Sequence, residues 1–502
     1  MRLLIRRQGN LIDVSPDGHS ALSPEVGNLL AQHLTYDHKT VLRGHAQWDA
    51  ASGSREGIQI EPRNLFRNEQ GRLTTGAGFT AKITHLLQGA GHDVHFTDIS
   101  PVRQRPDCYE PDWDNLNRHF SPRARQIECL ERVAATQGGI INATMGFGKT
   151  HLFNALCWLY PKAKIAIVVK PKDVAARIVR QLTRYFPNIG HVGGGKKLYG
   201  ERITVFTAGS MRHSDGDFDF LLADEAHQLM STKHSEDLGR YFRQTRNFGF
   251  TATPEGRLDG AHVKLEMFFG PEIFRLLYPE AVRLGLVVPI RVRWLPVRSN
   301  DNPAHNKTGV SRMRWGIWRN QQRNAIFAND VRATYDADTQ ILMAVATVDH
   351  AIHLWNLLPE FTLCYSNSEN VDFEGYKRSG MLPESFCPIT SALRDGYRTQ
   401  FEEGTLKRVI ATDVWSTGVD FEQLQVLYRL DARESEILSS QWGGRPSRLF
   451  EGKECSEIID GIDYFDKTLE RKSLKRKSHY KQHEWEQDWP RSRRQNSISH
   501  NG

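Results

Sequence analysis

Two short stretches carry residue types at spacings that could do chemistry. The first is Ala143-Thr144-Met145-Gly146-Phe147-Gly148-Lys149-Thr150. Gly146 and Gly148 allow the backbone to curl so that its N–H groups, with that of Thr144, face phosphate oxygens beside the positive end of a following helix. Lys149 is then placed to reach β- and γ-phosphates, and the Thr150 hydroxyl to ligate Mg²⁺. The opening position of the usual glycine-lysine string is Ala143 rather than glycine. The second stretch is Asp224-Glu225-Ala226-His227. Two adjacent carboxylates behind an apolar run are costly to bury unless they handle a cation or a proton. In a nucleotide site Asp224 would hold Mg²⁺ through its water shell, and Glu225 would orient and deprotonate the attacking water. His227 would sense the γ-phosphate or relay its loss. Taken singly, each string also fits a bland reading: an ordinary glycine turn, or a helix start rich in acid.

The elements that must position these residues are legible around them. An apolar run from Gly139 to Ala143 predicts a buried strand, and a helical pattern covers His151 to Tyr160. Further apolar, β-branched runs at Ile165–Val169, Ile203–Thr207, Phe220–Ala223 and Phe248–Thr251 alternate with helical stretches. That alternation is the pattern of a parallel sheet covered on both faces. A second series begins near Gln340, with strands expected at Ile341–Val345, Val409–Thr412 and Gln425–Arg429, and helices near His350–Leu358 and Leu393–Glu403. The fold class expected is therefore α/β, with two parallel-sheet domains in tandem.

Outside that core, residues 1–115 read as a small α+β module, with strands at Gly57–Ile60 and Asp93–Thr97 and a helix over Phe79–Ala90. Lys39, Arg43, His45 and Trp48 mix basic and aromatic residues there, but a solvated surface is the simpler reading. Pro101, Pro106, Pro111 and Pro122 mark a linker. The domains expected are 1–115, 116–289 and 290–466, followed by a basic tail at 467–502. In that tail Lys467, Arg471, Lys472, Lys475, Arg476, Lys477 and Lys481 crowd together, with Arg491, Arg493 and Arg494 beyond.

Bulk properties narrow the class. A chain of 502 residues that is 39% hydrophobic and 25% charged is a globular protein of several domains. It has no run of 18 apolar residues and no signal-peptide pattern, which predicts no membrane span and a cytoplasmic setting. The 6 cysteines form no CxxC pair, against a zinc site or disulfide framework and for a reducing compartment. The net charge of +7 is compatible with simple solubility or with a polyanionic partner.

The order of strings resembles that of superfamily 2 helicases and translocases over roughly residues 120–448. Gln126 is similar to the glutamine that reads adenine in this family, with Arg123 before it, while Arg125 stands where an aromatic residue is common. Val169-Lys170-Pro171-Lys172 and Thr207-Ala208-Gly209-Ser210-Met211 resemble the two backbone-contact motifs of the first domain. The resemblance implies nucleic-acid contact by Lys170, Pro171, Thr207 and Ser210, and by Thr412 in the second domain. Thr251-Ala252-Thr253-Pro254 resembles the motif that couples hydrolysis to strand contact, through Thr251 and Thr253. Ala411-Thr412-Asp413 with Gly418-Val419-Asp420 resembles a further motif, which places Gly418 and Asp420 at the nucleotide. Gln441-Trp442-Gly443-Gly444-Arg445-Pro446-Ser447-Arg448 has the form QxxGRxxR, with Gln441 beside two arginines. If that stretch is helical, Arg445 and Arg448, three apart, share a face and can both point into a cleft. A guanidinium there would stabilise charge on the γ-phosphate, an effect on the order of 10³–10⁵ in rate.

The resemblance implies RecA-like domains, ATP as substrate, Mg²⁺ as cofactor, and ATP bound between the two domains. The form of the motifs, Arg323-Asn324 and the basic C-terminal segment resemble the DNA-directed XPB/UvsW-type group. The N-terminal pattern is similar to the DNA-binding module ahead of the motor in the recombination helicases of that group. The expected function is thus an ATP-dependent DNA helicase or translocase acting on branched or partly duplex DNA, in recombination, repair or fork remodelling. An RNA helicase and a catalytically idle nucleic-acid-binding scaffold are the alternatives.

Overall fold

The computed structural model describes residues 1–18, 21–42, 57–69, 71–100, 106–252, 260, 263–366, 371–415, 421–434, 442 and 444–490. The chain divides into two compact units, Met1–Leu276 and Leu277–Gly502. The division falls ahead of the boundary expected after residue 289, and it joins the N-terminal module to the first motor domain.

The first unit is built on an eight-stranded sheet. Its central strands are Ile165–Val169, Phe220–Asp224, Arg246–Thr251 and Gly138–Ala143, parallel and in that spatial order. Each is almost wholly buried, which is why each reads as a continuous apolar run instead of an alternation. Glu272–Leu276 closes one edge, and the hairpin strand Lys196–Leu198 closes the other as the antiparallel member. Asp224 is level with Phe250, and Asn142 with Thr251, so the segments that follow Ala143, Ala223 and Phe250 emerge along one sheet edge.

The N-terminal module has a five-stranded sheet and a separate two-stranded ribbon, Thr35–Leu42 with Gly57–Asn64. Two of its strands, Arg2–Gln8 and Leu11–Pro16, and the helix Pro24–His33 have no counterpart in the sequence-based expectation. Leu3, Ile5, Ile12, Val14, Leu30, Ile83 and Leu87 form its own core. The module is nonetheless seated on the motor domain. The Asn10 backbone N–H donates to the Arg243 carbonyl at 2.6 Å, and Lys82 pairs with Glu266 at 3.3 Å. Tyr36 is buried within the motor's own core cluster. At Gly78 an added Cβ would lie 1.9 Å from the Glu266 carbonyl oxygen, so the two backbones meet where only glycine fits.

The proline-rich stretch after the module is not an open linker throughout. Helix Trp113–His119 is capped by Asp112 and buries Leu116. Asn115 Nδ2 donates to the Trp158 carbonyl at 2.7 Å, fixing it to the helix behind the phosphate loop.

The second unit carries a seven-stranded, all-parallel sheet, in the order Thr362–Cys364, Arg408–Ala411, Ile341–Ala344, Val426–Arg429, Ser456–Asp463, Ile290–Val297, Glu486–Asp488. The basic segment expected to be a tail is partly built into it. Helix Lys467–Gln482 is capped by Asp466 and buries Leu469, Ser473, Arg476 and Tyr480. A run of lysines hid that inner face, because three of its four residues are polar. The arginines at 491, 493 and 494 lie outside the described residues. Among the described residues, no helix is long and apolar enough to cross a membrane.

Candidate nucleotide site

The phosphate-loop string leaves the buried strand Gly138–Ala143 and ends on helix Lys149–Leu159. Gly146 and Gly148 have φ of 92° and 86°, left-handed values that side chains resist, so the loop depends on glycine at both positions. Ala143 is fully buried in the strand and lies before the curl, which is why glycine is not required there.

Lys149 Nζ donates to Glu225 Oε1 at 2.9 Å. The other Glu225 oxygen lies 3.5 Å from His227 Nδ1, and that same nitrogen is hydrogen-bonded to Thr251 Oγ1 at 2.9 Å. His227 and Thr251 are buried, while Lys149 and Glu225 keep side-chain exposures of 12% and 23%. A cation, a carboxylate, an imidazole and a hydroxyl thus run in line across three strand ends, turning separate motifs into one connected site. Glu225 holds φ of 45°, a left-handed value uncommon outside glycine, which places a strained backbone at the candidate base.

Asp224 is pushed up to about 6 by burial, and next by the neighbouring Glu225 carboxylate; Lys149 and Arg177 oppose the shift. Arg177, on helix Lys172–Leu182, is a contributor that sequence reasoning did not single out. A carboxyl raised by burial and by a neighbouring carboxylate is the setting a divalent cation relieves, and Asp224 with the Thr150 hydroxyl supplies oxygen donors suited to Mg²⁺. Among the described residues no group of three or more His, Cys, Asp or Glu gathers as a metal cage.

Gln126 is fully buried. Its Oε1 accepts from the Arg123 backbone N–H at 2.8 Å, and its Nε2 donates to the Phe147 carbonyl at 2.7 Å. Arg123 Nη1 reaches the Gly146 carbonyl at 3.3 Å. Both residues brace the phosphate loop, and the Gln126 amide retains one N–H and one lone pair for a further partner. Arg125 forks onto Glu128 at 2.8 and 3.0 Å and lies 5.0 Å above the Phe274 ring, which itself stacks on Phe147.

On the same sheet edge, Lys170 is exposed and Pro171 caps the following helix. Thr207 Oγ1 donates to Ser210 Oγ at 3.0 Å. The turn Gly193-Gly194-Gly195 abuts them: a Cβ on Gly193 would lie 2.4 Å from Thr207 Oγ1. Three consecutive glycines are the sequence signal of this close approach.

In the second unit Thr412 is buried, and its backbone N–H donates to the Cys364 carbonyl at 3.1 Å. Asp413 beside it pairs with Arg433. Arg445 is buried and Arg448 half-buried. They do not sit on a helix as expected: residues 444–447 form a turn, closed by Ser447 Oγ donating to the Gly444 carbonyl at 3.0 Å. Pro446 between the arginines lacks an N–H to continue a helix, and Gly443-Gly444 weakens one before it. Gln441, Thr253, Gly418 and Asp420 lie outside the described residues.

Residues 119–256 match a family described as "Type III restriction enzyme, res subunit", a span that contains the whole Lys149–Thr251 constellation. No curated protein matches the chain. Among solved structures it is similar to S. cerevisiae Dbp5 bound to RNA and ADP BeF3, with TM-score 0.52 and 13% identity, covering 76% of this chain and 93% of that one. It also matches T4 UvsW, with TM-score 0.42 and 14% identity, covering 97% of this chain and 99% of that one. At 13% identity the likeness to Dbp5 is one of fold. The match over residues 119–256 and the shared fold give this chain two RecA-like α/β sheets, with Lys149, Glu225, His227 and Thr251 gathered at the strand ends of the first.

Proposed function

We propose that the chain is an ATP-dependent DNA helicase or translocase acting on branched or partly duplex DNA in recombination, repair or fork remodelling. The observation that carries the reading is the line Lys149–Glu225–His227–Thr251. Bound Mg²⁺ would neutralise phosphate charge, held on the protein side by Asp224 and Thr150. Lys149 exchanges its Glu225 partner for phosphate, which leaves the Glu225 carboxylate able to take a proton from water. His227, bonded to Thr251, carries the change in Glu225 to the strand leading into the coupling motif. Arg445 and Arg448 are assigned the charge that develops during phosphoryl transfer. Gln126 and Arg123 hold the loop in shape, with the remaining amide valences of Gln126 assigned to the base. Lys170, Pro171, Thr207, Ser210 and Thr412 are assigned to the sugar-phosphate backbone of the tracked strand.

The site itself argues against an idle scaffold, since Lys149, Asp224, Glu225, Arg445 and Arg448 are all retained. DNA is favoured over RNA by the motif form and the small N-terminal module, and domain boundaries near residues 115, 289 and 466 complete the proposal. ATP hydrolysis measured with single-stranded, duplex and forked DNA and with RNA tests the reading. Strongest stimulation by forked DNA is expected. Stimulation by RNA alone would replace DNA with RNA, and no stimulation by any polymer would leave a scaffold.

A further inference from the structure

Helix Lys467–Gln482 has two faces of opposite character. The inner face is fixed by a fully buried network. Arg476 forks onto Asp460 with both contacts at 2.9 Å, Tyr480 donates to Asp460 at 2.8 Å, and Arg429 Nη1 donates to the Tyr480 oxygen at 3.0 Å. The outer face presents Lys467, Arg471, Leu474, Lys475, Ser478 and Lys481, all exposed, with no acid among them.

Helix stability does not account for that outer face. Lys467, Arg471 and Lys475 are successive i,i+4 neighbours of like charge, an arrangement that weakens a helix. Lys467 also opens the helix, where the backbone dipole disfavours a cation. The surrounding contacts point toward a neighbour with charge of its own. Lys472 and Lys475 grip Glu434 at 3.3 and 3.2 Å. Arg433, the next residue back, pairs with Asp413 and donates to the Ala346 carbonyl at 2.9 Å. The basic face is therefore tied, through two adjacent residues, to the segment holding Thr412.

We infer that the outer face of helix Lys467–Gln482 is a binding surface for the phosphodiester backbone of a nucleic acid, continuing the path of contacts that begins at Thr412. The inference rests on the motor reading above. At 1.5 Å per residue the 16-residue helix is about 24 Å long, with side chains four apart separated by about 6 Å, so the stripe can span several phosphates of one strand, which recur about every 3.4 Å along a duplex axis. The buried network fixes the helix on the sheet, so the stripe is presented without the helix first having to form.

The test is a triple variant, Lys467→Gln, Arg471→Gln and Lys481→Gln, compared with the unaltered full chain. Binding to forked DNA and to an RNA fork is followed by fluorescence anisotropy over a series of salt concentrations. The expected result is a loss of about tenfold or more at low salt, on both polymers, with the slope of log affinity against log salt shallower by about 2 to 3. An unchanged melting temperature establishes that the variant is folded. Superimposable salt plots for variant and unaltered protein, with the latter binding well, would overturn the surface and leave the motor reading intact. If the unaltered protein bound neither polymer and neither stimulated its ATPase, the motor reading would fall and the surface with it.

Discussion

The strand-end site of the first unit and the helix-backed network of the second use charge in opposite ways. Lys149 and Glu225 pair while keeping 12% and 23% of their side-chain surface, and in the proposed mechanism each exchanges partners when substrate arrives. Arg476 with Asp460, and Arg323 with Asp463, pair at 0% exposure, where leaving one partner alone is prohibitive. One arrangement is built to be opened and the other to stay shut. The difference teaches that the accessibility of an ion pair, more than its distance, separates working charges from structural ones: all three pairs lie at 2.8 or 2.9 Å.

Replacing a charge on each side sharpens the contrast. Lys149→Ala should lower ATP turnover by about 10²–10³-fold with little change in melting temperature, because the partly exposed Glu225 can still reach water. A steady-state phosphate-release assay beside a thermal melt reads both; unchanged turnover would remove Lys149 from the site. Arg476→Leu should do the reverse, destabilising the second unit by about 3–5 kcal/mol by stranding the buried Asp460. Calorimetry reads that loss, and a melt identical to the unaltered protein would show the network to be dispensable.

A third substitution concerns the seat of the N-terminal module. Gly78→Ala pushes a methyl against the Glu266 carbonyl and should cost about 1–3 kcal/mol, seen as a lower melting temperature of the first unit. A neutral result would mean that the module is only loosely placed, and that removing residues 1–110 should spare the ATPase. The smallest effect is one of pH. Because the Asp224 carboxyl is raised to about 6, in the nucleotide-free protein it contributes stability that is present below its ordinary range and lost as pH rises through about 6. For binding the sign is opposite: protons compete with Mg²⁺, so affinity for Mg²⁺ and a nonhydrolysable ATP analogue should weaken as pH falls from neutral toward 5, and Asp224→Asn should flatten the profile.

The same contrast explains what the sequence made legible. The phosphate loop, the acidic pair and the strands beneath them are local patterns: an apolar run, then glycines or carboxylates at its end. Phe220 to Ala223 reads as a strand because burial on both faces leaves no polar alternation. The partners of Arg476 were not legible, since Asp460 lies on a strand that precedes the helix and nothing in a lysine-rich run marks one arginine as buried. Gln126 shows a middle case: its place beside the loop was readable, but not that its amide already bonds Arg123 and Phe147. The turn at Arg445 has its own local signals, two glycines and a proline, which outweigh the three-residue spacing of the arginines.

The central claim is that Glu225 is the base of an ATP-hydrolysing site, held by Lys149 until substrate replaces it. Glu225→Gln, mixed with Mg²⁺, ATP and forked DNA, tests it most directly. Nucleotide and DNA should still bind, while phosphate release falls by about 10²–10⁴-fold. Release at the rate of the unaltered protein would contradict the account.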